Sequence, residues 1–274
     1  MEQPSAALRF LYRTVPGRFL LKGLTAPWLS KAAGALLSTR LSAGFVGPFV
    51  KQNRMDLSDY PQRQYGSFND FFTRTLLPGK RPFDDRPEAL CSPADSRLSV
   101  YRADEDAVFS IKNSLYRVSD LLGGDPRWQK FRGGWVLVFR LCVDDYHRYA
   151  WFDGGDPSAP VFIPGELHTV QPIAFEQYPV FVRNSREYTL IETDHFGTAA
   201  QIEVGALMVG KIANHPVTGR VERGQEKGMF LFGGSTVVLL LEPDRAEIDP
   251  EYLAAAARGD EIRVRQGQPV GRAL

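Results

Sequence analysis

Cysteine is scarce in this chain, and histidine nearly so. Cys91 and Cys142 are the two cysteines in 274 residues. They lie far apart with no C-x-x-C spacing, so neither a zinc knuckle nor a disulfide framework is encoded, no metal site is expected, and a reduced compartment fits best. Net charge is also lacking, at +1. The basic residues do not alternate with aromatic ones as in a single-strand binder, which argues against nucleic acid. Long apolar runs are missing as well. The longest uncharged stretch near the N-terminus, residues 41–50, is about half of what a bilayer crossing needs, and no apolar core with a cleavage site marks a signal peptide. Internal repeats, heptads and low-complexity tracts are absent.

Acidic residues are missing from one region in particular. Before Asp56 only Glu2 is acidic, against Arg9, Arg13, Arg18, Lys22, Lys31, Arg40, Lys51 and Arg54. The same stretch carries Phe10, Phe19, Leu20, Trp28, Leu36, Phe45 and Phe49, and Pro16, Pro27 and Pro48 cut it into helix-length pieces. Cations mixed with Trp, Phe and Leu on short helices suit an anionic lipid interface. A helical layer packed on a core with a solvated basic face fits the composition equally well.

What is present after this arm is β-rich. "SFNDFFTRTLLPGKRPFD" (67–84) predicts a short helix capped by Ser67 or Asn69 and then a loop. From Cys91 onward, "RLSVYRA", "AVFSIKN", "WVLVFRLCV", "YAWFDGG", "PVFVRNS", "YTLIETD", "AAQIEVGALMVGKI", "MFLFGGSTVVLLL" and "EIRVRQGQPVG" read as short β-rich runs separated by turn residues. Helical interruptions are expected near Val118 to Leu122 and over Pro250 to Arg258, the second capped by Asp249. The fold class is α+β, with N-terminal amphipathic helices over residues 1–60 followed by a mostly antiparallel β-rich domain over 61–274.

The stretch "FGGSTVVLLL" (232–241) sets Gly233, Gly234, Ser235 and Thr236 against an aliphatic run. A turn before a buried strand is one reading. Ser235 is not in the G-x-S-x-G elbow of a serine hydrolase, so that chemistry is disfavoured. Its hydroxyl follows a side-chain-free backbone that tolerates strain, a geometry suited to attack on the Gly234 carbonyl. Such an attack converts the amide to an ester, and elimination then leaves a residue that hydrolyses to a pyruvoyl group. Among other polar candidates, His147 in "DDYHRYAWF" falls at a strand end, and Asp95 in "CSPADSRL" falls in a turn. Taken alone, both suit structural roles.

Together with "SPAD", "FRLCVDDYHRY", "PGELHTVQP", "VGALMVG" and "RGQEKGMFLFGGSTVVLL", the order and spacing of these stretches resemble the phosphatidylserine decarboxylases over about residues 65 to 245. The resemblance implies a proenzyme cut between Gly234 and Ser235, leaving a short chain of 40 residues headed by a pyruvoyl cofactor made from Ser235. That carbonyl would condense with the amine of phosphatidylserine and withdraw electrons as CO2 leaves, giving phosphatidylethanolamine. It further implies a peripheral protein on the cytoplasmic side of an anionic membrane, a phospholipid substrate and a homodimer. The family usually reads Y-H-R-x-H, with the second histidine as base for processing, the aspartate of S-P-x-D as its orienter and the first histidine assigned to decarboxylation. Here Asp95, His147 and Ser235 match, but Ala150 stands where the second histidine is usual, and Ser96 replaces a usual glycine. Losing a positioned base costs on the order of 100- to 10,000-fold, so processing is expected to be impaired. On that basis a non-catalytic lipid-binding protein of the same fold, or a pyruvoyl decarboxylase of another amine, are alternatives. The chain should then be uninterrupted, with the Ser235 hydroxyl near the Gly234 carbonyl, Asp95 close by, and an open or watered space where a histidine at 150 would reach.

Overall fold

The computed structural model describes residues 5–111, 114–175, 178–206, 212–231 and 235–274. Helices α1 (Ala6–Arg13), α2 (Val15–Leu24), α3 (Pro27–Leu37) and α4 (Val46–Gln52) form the arm, and α5 (Phe68–Phe72) follows it. The breaks between them are set locally. Ser5 Oγ caps α1 by accepting from Leu8 N, and Thr14 Oγ1 caps α2 by accepting from Gly17 N, with Pro16 in its first turn. Of the two caps that the sequence offers for α5, Ser67 fills the position, accepting from Asp70 N at 3.1 Å, and Asn69 lies inside the helix.

The rest of the chain runs through β1 (Ala89–Cys91), β2 (Ser96–Arg102), β3 (Val108–Ile111), β4 (Ser114–Arg117), α6 (Val118–Leu121), β5 (Trp135–Leu141), β6 (Arg148–Ala150), β7 (Gly155–Pro157) and β8 (Val161–Ile163). It continues through α7 (Pro172–Phe175), α8 (Val180–Arg183), β9 (Arg186–Thr193), β10 (Thr198–Val204), β11 (Ile212–Asn214), β12 (Glu226–Phe230), β13 (Ser235–Leu241), β14 (Ala246–Ile248), α9 (Pro250–Arg258), β15 (Ile262–Val264) and β16 (Pro269–Ala273). The main sheet has the order β15-β2-β5-β13-β10-β9-β7, with β8 also paired to β9, and every pairing is antiparallel. This is the α+β architecture expected.

The aliphatic run 237–241 follows from where β13 lies. It is the middle strand, and both of its faces are covered. Val238 and Leu240 join Val136, Val138, Ala200, Ile202, Tyr116, Phe181, Tyr12 and Leu21 in one core. Val237, Leu239 and Leu241 join Leu137, Phe139, Leu141, Tyr149, Trp151, Phe230 and Tyr252 in the other. A strand buried on both faces has no solvent side, so its sequence is continuously apolar instead of alternating. The sheet β11-β12-β6 contributes Tyr149 and Phe230 to the second core.

One expected strand is not a strand. Residues 180–183 of "PVFVRNS" form the helical turn α8, because the amides of Val182 and Arg183 both return to the Pro179 carbonyl. A four-residue apolar run is too short for its period to separate strand from buried helix.

The arm is packed on the core and also carries exposed apolar side chains. Tyr12 and Leu21 are buried in the core, whereas Phe19 is 78% exposed, Trp28 67% and Leu41 87%. Among the described residues, no helix is long and apolar enough to cross a membrane.

Candidate active site

Ser235 opens β13 opposite Leu141, the last residue of β5. On the other side of β5, Arg97 pairs with Arg140, so Ser96 and Ser235 flank Leu141. Two strand spacings separate them, about 10 Å. Asp95 immediately precedes Ser96. From Leu141 the chain turns through residues 142–147, where Asp145 N donates to the Cys142 carbonyl at 3.0 Å, and returns as β6. His147, at the end of this turn, accepts from Phe230 N through its carbonyl at 2.9 Å, and Phe230 ends the strand that leads to Ser235. The fold therefore gathers Asp95, His147 and Ser235 at one end of the central sheet. Gly233 and Gly234 lie outside the described residues, and so does the spacing of the Ser235 hydroxyl to the Gly234 carbonyl.

Ser235 is completely buried, and among the described residues its Oγ has no hydrogen-bond partner; the same holds for Thr236 Oγ1. Burying an unpaired hydroxyl costs roughly 1–3 kcal/mol, so such a group in a core strand requires an explanation. Ser235 is the residue that the sequence offers as an internal nucleophile, and Thr236 beside it is in the same state.

Asp95 is already engaged. Arg81 holds it through Nε at 2.8 Å and a terminal nitrogen at 2.7 Å, and the Gln266 amide donates at 2.8 Å. Arg81 also reaches Asp59 at 2.9 Å. These two carboxylates hold its guanidinium well above its ordinary pKa. A pocket of about 420 Å³ beside them is lined by Asp59, Arg81, Asp95, Asp145 and Arg263. The Asp95 side chain thus has an arginine fork and a backbone donor.

His147 is fully buried, with its ring 4.0 Å from that of Phe72 and its Nδ1 3.0 Å from the Asp145 carbonyl. A carbonyl only accepts, so Nδ1 carries a proton. Arg74 fixes that carbonyl. It is buried beneath the Tyr60 ring, with its guanidinium carbon 4.3 Å from the ring centroid, and one terminal nitrogen reaches the Asp144 and Asp145 carbonyls at 3.3 Å each. The Asp145 carboxyl accepts from Cys142 N at 2.8 Å and from Arg263 at 3.1 Å. Burial raises it to about 6. Asp145, Arg74 and Arg81 were not singled out from the sequence. The doubled aspartate of "DDYH" was the available signal for the first. Nothing in "FFTRT" or "PGKRPF" separates the two arginines from ordinary surface ones.

Ligand atoms of Cys142, Asp144 and Asp145 lie within 4.8 Å of one another. Arg97 and Arg140, however, direct guanidinium nitrogens at Cys142 Sγ from 3.2 and 3.4 Å, and burial raises the thiol pKa. Cationic neighbours and a protonated thiol are unfavourable to a metal ion.

The Ala150 backbone is bonded to the turn that holds Asp95. Its amide donates to the Pro93 carbonyl at 2.9 Å, and its own carbonyl accepts from Gln201 Nε2 at 3.1 Å. The remaining histidines have carboxylate partners: His168 with Glu166, His195 with Asp153 and His215 with Glu226.

Comparison with known proteins shows the family. The family profile described as phosphatidylserine decarboxylase matches residues 68–272. The chain is 43% identical over 265 residues to phosphatidylserine decarboxylase proenzyme 2 of Clostridium acetobutylicum, covering 96% of this chain and 91% of that protein. It is 36% identical to the phosphatidylserine decarboxylase proenzyme of Ruminiclostridium cellulolyticum over 273 residues, covering 97% and 91%. It is likewise 36% identical to the Chlamydia trachomatis proenzyme over 274 residues, covering 98% and 91%. The chain belongs to the phosphatidylserine decarboxylase family.

Proposed function

We propose that this chain cleaves itself between Gly234 and Ser235 and then decarboxylates phosphatidylserine to phosphatidylethanolamine and CO2 at a membrane surface. The observation that carries the reading is the buried Ser235 hydroxyl at the head of the central strand, within G-G-S-T and without a hydrogen-bond partner among the described residues. In the cleavage, Ser235 Oγ bonds to the Gly234 carbonyl carbon as the C–N bond breaks, releasing the Ser235 amine and leaving an ester. Loss of the Ser235 α-proton expels the Gly234 carboxylate. The resulting enamine tautomerises, and water replaces its nitrogen, which departs as ammonia. The product is the pyruvoyl group, whose carbonyl supplies the electron withdrawal that loss of CO2 requires.

The residues of the chain handle the protons. His147, held with Nδ1 protonated by the Asp145 carbonyl, has the tautomer of a base at Nε2. We assign it to self-cleavage as well as to proton transfer during decarboxylation. On this assignment the carbonyl does the orienting that a carboxylate does elsewhere. Asp95, paired with Arg81, sets the local field and the turn ahead of β2. Ala150 stands where the family's second histidine is usual, and on this assignment His147 takes its place as base.

The outward apolar side chains of the arm and its basic residues support docking on an anionic bilayer. The test is CO2 release from carboxyl-labelled phosphatidylserine in vesicles. Release that disappears in Ser235→Ala is expected, and a cleaved chain that releases no CO2 would overturn the assignment of substrate.

A further inference from the structure

The loop 164–171 links the arm to the reacting end of the sheet through hydrogen bonds whose direction is determined. Tyr12, in α1, is fully buried. Its hydroxyl oxygen accepts from Thr169 N at 3.0 Å, so its proton points to His168 Nδ1 at 3.3 Å. His168 Nε2 then carries the ring proton and donates to Glu166 at 2.7 Å, and Arg183 holds the other oxygen of that carboxylate at 2.9 Å. Burial lowers the His168 pKa, which keeps the ring neutral as this pattern requires. The arm is attached to the same loop a second time, where Leu167 N donates to the Thr25 carbonyl after α2 at 3.1 Å.

From the loop, Asn184 carries the connection inward. It is completely buried. Its Oδ1 accepts from His168 N at 2.9 Å, and its Nδ2 donates to the His168 carbonyl at 2.8 Å and to the Gly205 carbonyl at 2.7 Å. Gly205 follows Val204, which pairs with Thr236. The antiparallel register therefore sets Gly205 opposite Ser235. One side chain joins the loop that grips the arm to the residue across from the nucleophile.

We propose that Tyr12 and Asn184 are positioning residues that couple the bilayer-facing arm to the seat of Ser235. The proposal rests on the function assigned above. Both act on the serine through the backbone of β10, so losing either should misplace it without weakening the hold on lipid.

The test uses the full chain, with Tyr12→Phe and Asn184→Ala made singly and together. Self-cleavage is timed, and kcat and KM are measured on vesicles of phosphatidylserine and phosphatidylglycerol. Co-sedimentation with those vesicles and hydrogen exchange at the Gly205 amide complete the set. Expected are self-cleavage and kcat reduced about tenfold, the scale of one lost hydrogen bond, with KM and vesicle binding unchanged and faster exchange at Gly205. The double variant should be no slower than the slower single, because both interrupt one connection. Wild-type cleavage and kcat in Tyr12→Phe would overturn the proposal, as would changes confined to KM and vesicle binding, or fully additive losses. If Asn184→Ala does not fold, His168→Gln replaces it in the same comparison. A wild-type chain that neither cleaves nor releases CO2 contradicts the functional assignment, and exchange at Gly205 still decides the coupling. A wild-type chain that does both, matched by Tyr12→Phe, contradicts the coupling alone.

Discussion

Replacing Lys227 by Met should be among the most destabilising single changes in the β-rich part of the chain. The side chains of Lys227 and Glu203 are 2% and 0% exposed and form an ion pair. The ammonium also lies 4.9 Å from the Trp151 ring centroid. Beyond the lysine, the Glu203 carboxylate has the Asn214 amide at 3.1 Å, and among the described residues its Oε1 has no hydrogen-bond partner. Burial already raises the Glu203 pKa, with Lys227 acting against it. Removing the ammonium strands a buried carboxylate, a loss of about 3–5 kcal/mol. For a chain of this size that is a fall in Tm on the order of 10 °C. Thermal unfolding followed by circular dichroism at neutral pH reads it. Lys227→Met combined with Glu203→Gln should recover part of the loss, because the uncompensated charge is gone. Lowering the pH should do the same for the single variant, as Glu203 takes up a proton. The reasoning fails if Lys227→Met melts within about 1 kcal/mol of wild type, or if the double variant melts lower than Lys227→Met.

Other expectations follow from the same geometry. His147→Gln should slow self-cleavage by about 100- to 10,000-fold, read as the decay of the uncut band, while Ala150→His should bring no large gain; the reverse pattern would return the role of base to position 150. Asp145 has a folded-state pKa of about 6 against an ordinary 3.8, so the native state binds its proton more tightly. Its contribution is full below pH 4 and is lost as pH rises to about 6, a loss of up to about 3 kcal/mol. Asp145→Asn should flatten that part of a denaturation-versus-pH profile, and an unchanged slope would contradict the assignment. Phe19→Ser with Trp28→Ser should weaken co-sedimentation with anionic vesicles, and added salt should weaken the wild type; indifference to both would remove the arm from the interface.

Much of the fold was legible because local signals agreed with burial. The run from Val237 to Leu241 marked a strand covered on both faces, and the proline breaks of the arm marked its helices. Residues 180–183 misled because a short apolar run has no readable period. The candidate site was legible only as a set of residues. Ser235 could be found from its glycines and the strand after it, and the order of motifs supplied His147 and Asp95. What sequence could not supply were contacts between distant segments: Arg81 closing on Asp95, Arg74 holding the Asp145 carbonyl, and the backbone of Ala150 bound to Pro93 and Gln201. They arise from sheet order, which no local pattern encodes.

The most direct test of this account is the intact mass of the purified chain, without any substitution. The account predicts two polypeptides, residues 1–234 and a 40-residue remainder, the smaller lacking a free amino terminus and carrying a carbonyl that reacts with hydrazines. A single uncut chain with Ser235 unmodified, persisting after prolonged incubation, would contradict it.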